Sequence, residues 1–175
     1  MTNLLQSAVI KVRTLEPGDN AVYQRLWLQG LTEQSSFFRS APEDDPAANI
    51  PTRFTPDSFT LGAFFERELI GIVSLERDHR VKLRHRALIF RMFVRPSAAG
   101  GGVGKMLLQE LMRLAQGIAG LRYTYLTVLA SNQRAIGLYS SLGFKAFACE
   151  PGAVNIDGSF VDELQMACQL SAALQ

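Results

Sequence analysis

The sequence predicts an α/β (α+β) fold, a mixed sheet built around one central β-α-β crossover, and three observations predict it. Ala87 to Val94 carries bulky apolar side chains on nearly every position, the pattern of a strand buried on both faces. Pro96 ends that strand and glycines occupy positions 100, 101, 102 and 104, after which Val103, Leu107, Leu111 and Leu114 recur at helical spacing. The chain then returns through a β-rich run, Tyr123 to Ala130, which must lie parallel to the first strand in a right-handed crossover.

The remaining elements follow in order. Val9 to Leu15 alternates apolar residues with Lys11 and Arg13, as a first strand does. Pro17-Gly18-Asp19 turns the chain into a helix with Asp19 as its expected N-cap and Val22, Leu26, Trp27 and Leu31 on its apolar face, Trp27 being a core residue. From Ser35 to Asp57 come four prolines, the acidic cluster Glu43-Asp44-Asp45 and scattered aromatics, a long and partly helical connection. Phe59 to Phe65 and Leu69 to Leu75 read as an antiparallel hairpin around Glu66-Arg67-Glu68. The basic stretch Glu76 to Arg86 is either a solvated connection or a docking patch for an acidic partner. After the crossover, Asn132 caps a short helix, Gly143 turns the chain, and Phe144 to Glu150 and Phe160 to Leu170 give two more strands linked by PGAVNIDGS.

Composition sets the bounds. A chain of 175 residues, 47% hydrophobic and 19% charged, suits a single domain over residues 1–175. Eighteen basic against sixteen acidic residues leave a net charge of +2, which gives no global field for nucleic acid. Cys149 and Cys168 are read as small buried apolar residues on neighbouring strands, not as a disulfide or a metal pair. The start MTNLLQSAVIKVR has neither the basic opening nor the apolar core of a leader, and no apolar run approaches a membrane span. A cytoplasmic protein without membrane contact is expected.

The glycine loop carries the chemistry. At a helix N-terminus the first amides have no internal acceptor and the dipole places roughly half a positive charge, so the loop is an anion site. A Walker A loop would need glycine at Ala99 and Ser or Thr at Met106; a dinucleotide fingerprint would need a third glycine at Lys105 or Leu107. Neither fits. AGGGVG, Ala99 to Gly104, resembles instead the pyrophosphate loop Q/R-x-x-G-x-G/A of the GNAT N-acetyltransferase superfamily, with Gly102 and Gly104 in register and Ala99 departing from the usual Gln or Arg. Downstream, Asn132, Ala135, Leu138, Tyr139, Gly143 and Phe144 match the superfamily's second signature, N-x-x-A-x-x-L-Y-x-x-x-G-F. The resemblance covers roughly Phe59 to Leu170, with a cofactor-binding core over about 85–147.

That resemblance implies a largely antiparallel sheet of six to seven strands with helices on both faces. It also implies an acetyl-CoA-dependent enzyme that moves an acetyl group directly to a primary amine of a small molecule or protein, without a metal. Gly100, Gly101, Gly102, Val103, Gly104 and Lys105 would hold the pyrophosphate, Met92, Phe93 and Val94 would pair with the pantetheine arm, and Asn132 and Ala135 would border it. An amide at Met92 or Phe93 would polarise the thioester carbonyl. Tyr139 falls where the superfamily's general acid stands. The position of the Glu base in some members is Leu88 here, which leaves His85 and Glu163 as candidate bases. Arg91, a charge in an apolar strand, either recognises an acceptor carboxylate or pairs with Asp162 or Glu163, and the pair is the preferred reading. The connection over Ser35 to Asp57 corresponds to a wall of the acceptor pocket. The superfamily's habit of pairing leaves a homodimer open, and the substituted Ala99 leaves open a non-catalytic acyl-CoA-binding module.

Overall fold

A computed structural model describes residues 9–171. The expectation of a chain start without a leader rests mainly on residues outside that range. The elements in chain order are β1 (Ile10–Thr14), α1 (Asn20–Glu33), β2 (Ser58–Phe65), β3 (Glu68–Arg77), β4 (Arg86–Val94), α2 (Val103–Gln116), β5 (Tyr123–Leu129), α3 (Gln133–Ser141), β6 (Lys145–Ile156) and β7 (Ser159–Gln169). The strands form one seven-stranded sheet in the order β1-β2-β3-β4-β5-β7-β6. Only β4 and β5 run parallel, joined by the α2 crossover, and every other pairing is antiparallel. The architecture is the mixed, largely antiparallel one that the sequence predicts.

Alternation along the strands sends successive side chains to opposite faces, and the core divides accordingly. Val73 joins a cluster with Leu107, Leu108 and Leu111 of α2 and Tyr139 of α3. Its neighbour Ile72 joins Tyr23, Leu26, Trp27 and Leu31 of α1, together with Phe93. Helices thus cover both faces. Gly30 lets α1 seat directly on β4, since a Cβ there would lie 2.9 Å from Phe93 Cγ. No helix among the described residues is long and apolar enough to cross a membrane.

Four local expectations are corrected. Asp19 stands at the N-cap position of α1 but makes no side-chain cap bond there: its carboxylate accepts from the Glu16 amide at 2.8 Å and pairs with Arg13 at 2.7 Å, closing a 3-10 turn over Pro17–Asp19 instead. β4 is not buried on both faces, for Leu88 is 46% exposed; its apolar run lines a cleft as well as the core. Cys149 is exposed, and only Cys168 is buried. Finally, PGAVNIDGS is not a linker. β6 runs through Pro151-Gly152 as an irregular edge strand, where proline's missing N–H costs no ladder bond, and the reversal is the two-residue turn Asp157-Gly158, both at positive φ (51° and 86°).

Candidate active site

The site begins as a flaw in the sheet. β4 pairs with β5 only from Arg86 to Leu88, opposite Tyr123 to Tyr125. Against β3 the register shifts between Ile72 and Ser74, so that Arg91 and Met92 stand opposite the single residue Val73, and Arg91 takes φ +49°. This is a β-bulge, which bends its strand and strengthens the local twist. Beyond it β4 and β5 part, and a groove of about 670 Å³ opens between Leu88–Val94 on one side and Leu126–Leu129 on the other.

At one end the groove meets the loop before α2. Gly100 and Gly102 have φ of +89° and +79°, and a Cβ on either would meet nothing within 4 Å. They are glycines for conformation. Gly104 is a glycine for packing, because a Cβ there would lie 3.1 Å from Met92 Cε and 3.2 Å from Leu138 Cδ2. The first paired amide of the helix is that of Met106, which donates to the Gly102 carbonyl at 3.0 Å; those of Gly100 to Lys105 have no acceptor among the described residues. Gly100, Gly102, Val103, Gly104 and Lys105 line the groove, whereas Gly101 does not. Ala99 also lines it and presents only a methyl group.

The side wall comes from α3. Asn132 Oδ1 accepts from the Ala135 amide at 3.1 Å, the expected cap, and Asn132, Arg134, Ala135, Leu138 and Tyr139 all line the groove. Tyr139 is 8% exposed, and its hydroxyl donates to the thioether sulfur of Met92 at 3.6 Å. Burial away from water pushes the phenol up to about 12.

The other end is walled by side chains from distant segments. Trp27, Phe37, Phe38 and Arg39 come from α1 and the connection after it, so that connection does border the groove. Phe38 packs edge-on against Trp27 (5.2 Å between centroids) and Phe93 (6.2 Å). Glu163, on β7 opposite Leu129, is 3% exposed and faces Arg39 at 3.5 Å. Arg91 does not join the acids of β7. Its guanidinium pairs with Asp45 at 2.8 Å, donates to the Tyr23 hydroxyl and the Asn49 carbonyl at 3.3 Å each, and lies 5.1 Å above the Trp27 ring. The bulge turned the side chain away from β7 and towards the connection.

The structure thus brings Tyr139, Glu163, Met92, Phe93, Val94, Asn132 and Ala135 to one groove with the glycine loop. It does not bring His85 there. That residue is exposed, edge-on to Tyr123 at 6.4 Å, and its carbonyl accepts from the amides of Arg122 and Tyr123. It sits where β4 and β5 are still paired, before the groove opens. Asp162 is likewise occupied elsewhere, accepting from the Gly152 amide at 2.8 Å. Sequence reasoning missed Arg39 and Arg134. Arg134 lies inside the second signature, one residue before Ala135, where a cation at a helix start beside an anion loop could have been noticed; Arg39 had no local signal.

A family model for the acetyltransferase (GNAT) family matches residues 23–144. The chain is 31% identical over 144 residues to the mycothiol acetyltransferase of Paenarthrobacter aurescens (strain TC1), a match covering 77% of this chain and 42% of that protein, so it spans less than half of that relative's length. Among solved structures, the protein yncA of Salmonella typhimurium, determined with its cofactor acetyl-CoA, superimposes with a TM-score of 0.81 at 20% identity, covering 95% of this chain and 97% of that one. An acetyltransferase of the GNAT family from Streptococcus pneumoniae does so with a TM-score of 0.78 at 23% identity, covering 93% of this chain and 100% of that one. At these identities the structural likeness is one of fold.

Proposed function

The chain belongs to the acetyltransferase (GNAT) family, and from that premise we propose that it transfers an acetyl group from acetyl-CoA directly to a primary amine of a small molecule or protein. The observation that carries this reading is the buried Tyr139 phenol. It lines the same groove as the glycine loop and Glu163, and among the described residues its hydroxyl has no better partner than a thioether, a weak acceptor.

Acetyl-CoA supplies a thioester, an acyl group already activated for attack. The unpaired amides from Gly100 to Lys105 suit its diphosphate, and the exposed cations Lys105 and Arg134 flank the same groove. With only a methyl at Ala99, the hold falls to these groups. The main chain of Met92 to Val94, beyond the point where β4 leaves β5, would hold the extended arm, and the amide of Met92 or Phe93 would polarise the carbonyl.

Glu163 is the carboxylate that lines the groove, and it receives a proton from the incoming ammonium. Tyr139, in the same groove, would serve the departing sulfur. A phenol at about 12 against a thiol near 8.5 makes outright proton transfer uphill by roughly 5 kcal/mol. The hydroxyl therefore acts first as a hydrogen-bond donor, and gives up its proton as the amine's second proton replaces it. The amine loses two protons in all: one leaves through Glu163 to solvent and one ends on the sulfur.

A thermal melt with and without acetyl-CoA, with ATP and NAD as controls, tests the reading. At about 100 times Kd, binding adds roughly 2.7 kcal/mol and should raise Tm by about 5 to 11 °C. Release of free thiol on adding an amine completes the test. A shift without release would favour an acyl-CoA-binding module, and no shift with acetyl-CoA would sink both readings.

A further inference from the structure

Glu163 is withdrawn from water, yet its carboxylate has a single charged partner among the described residues, Arg39 Nη1 at 3.5 Å. A buried carboxylate requires a cation or several donors to replace its hydration, and 3.5 Å is long beside the roughly 2.7–2.9 Å of a tight charged hydrogen bond. Arg39 is as weakly engaged from its own side: its side chain is 57% exposed, and Glu163 is its one ionic partner among the described residues. The neighbouring Arg91 differs, being held by Asp45, Tyr23, Asn49 and the face of Trp27. One arginine at this end of the groove is fixed, and the other is available.

We infer that the acceptor is a free α-amino acid. Its ammonium takes the place of Arg39 on Glu163, and its carboxylate is held by the guanidinium so released. The inference rests on the acetyl-transfer reading and names the substrate class of that site. Charge alternation argues for it. An amine without an anionic group would set a second cation beside Arg39 and one carboxylate, whereas a zwitterion lets each positive group face a negative one. An α-amino acid carries its two charges on one carbon, the short spacing that suits groups as close as Arg39 and Glu163. The Trp27 indole N–H, buried in the same wall, has no acceptor among the described residues. Phe37, Phe38 and Trp27 supply the apolar surface for a side chain.

The test is thiol release from acetyl-CoA by the full chain, with each proteinogenic L-amino acid set against its own α-amide. The amide is the weaker base and has more free amine near neutrality, so a preference for the acid runs against intrinsic reactivity. At least one free acid should exceed its amide by about tenfold or more in kcat/KM, the discrimination that a hydrogen-bonded charge gives. Arg39→Ala should collapse that ratio towards one, and Arg39→Lys should restore part of it. Amides that react as well as the acids, as a protein N-terminus would, overturn the inference and leave acetyl transfer standing; so does an acid-to-amide ratio that Arg39→Ala leaves unchanged. No thiol release with any amine, together with no thermal shift on adding acetyl-CoA, overturns both.

Discussion

At one end of the groove the groups that face a ligand are main-chain amides, from Gly100 to Lys105. At the other they are the tips of side chains, Glu163 from the last strand and Arg39 from the connection after α1. The difference has a consequence for tolerance. A backbone donor survives most changes of side chain, which is why a loop that has Ala99 in place of a polar residue can keep an anion site; a carboxylate held by one long ion pair has no such reserve. Single substitutions should therefore act more strongly at the acceptor end than at the phosphate end.

The largest effect expected is from Glu163→Gln, a near-isosteric change that removes the proposed proton acceptor. The turnover rate should fall by about 10²- to 10⁴-fold with acetyl-CoA affinity nearly unchanged, as steady-state kinetics and calorimetry would read. A parallel loss of cofactor affinity would mean that the two ends are not independent.

Tyr139→Phe, between the two, should cost about 10²-fold in kcat and little in cofactor affinity; an unchanged kcat would remove the phenol from the mechanism. The same residue leaves a mark on stability. Its phenol, like that of Tyr23, is raised from 10.0 to about 12 in the fold. An acid whose folded pKa lies above its unfolded one stabilises fully below the unfolded value and loses that contribution as pH rises through the folded one. Each phenol thus contributes on the order of 2–3 kcal/mol that disappears between about pH 10 and 12. Urea melts across that window should show a shallower decline in Tyr139→Phe than in the parent chain.

The smallest effect belongs to the loop. Gly102→Ala places a Cβ in open space but at φ +79°, a conformation costing an L-residue about 1 kcal/mol. Acetyl-CoA affinity should weaken about fivefold with kcat retained. A loss as large as that of Glu163→Gln would erase the contrast between the ends.

The same contrast decides what could be read from the residues alone. The strand, the glycine loop, the α2 crossover and the Asn132 cap are local features, each set by contiguous residues whose geometry follows from backbone rules, and they were legible. Arg39 and Glu163 meet only because the sheet brings β7 beside β5 while α1 delivers the connection to the same place, and no spacing announces that. The role of Arg91 failed for a related reason, since a bulge reverses the direction of a side chain without altering the apolar pattern around it. Leu88 shows the ambiguity of that pattern, because a strand lining a cleft and a strand buried twice over demand the same residues. Asp157-Gly158 is a strong hairpin signal, yet the expected strand stops at Glu150, whereas an edge strand can continue through Pro151-Gly152.

Between α1 and β2 the chain contributes short 3-10 turns at Ser35–Phe37 and Pro42–Asp44 and no strand to the sheet. In evolutionary terms it is a replaceable part. On the proposed reading, Arg39 and the aromatics around it could be exchanged without altering β4, the loop or α2. One anchor holds the connection in place: Asp45 ties it to Arg91 at the bulge of β4.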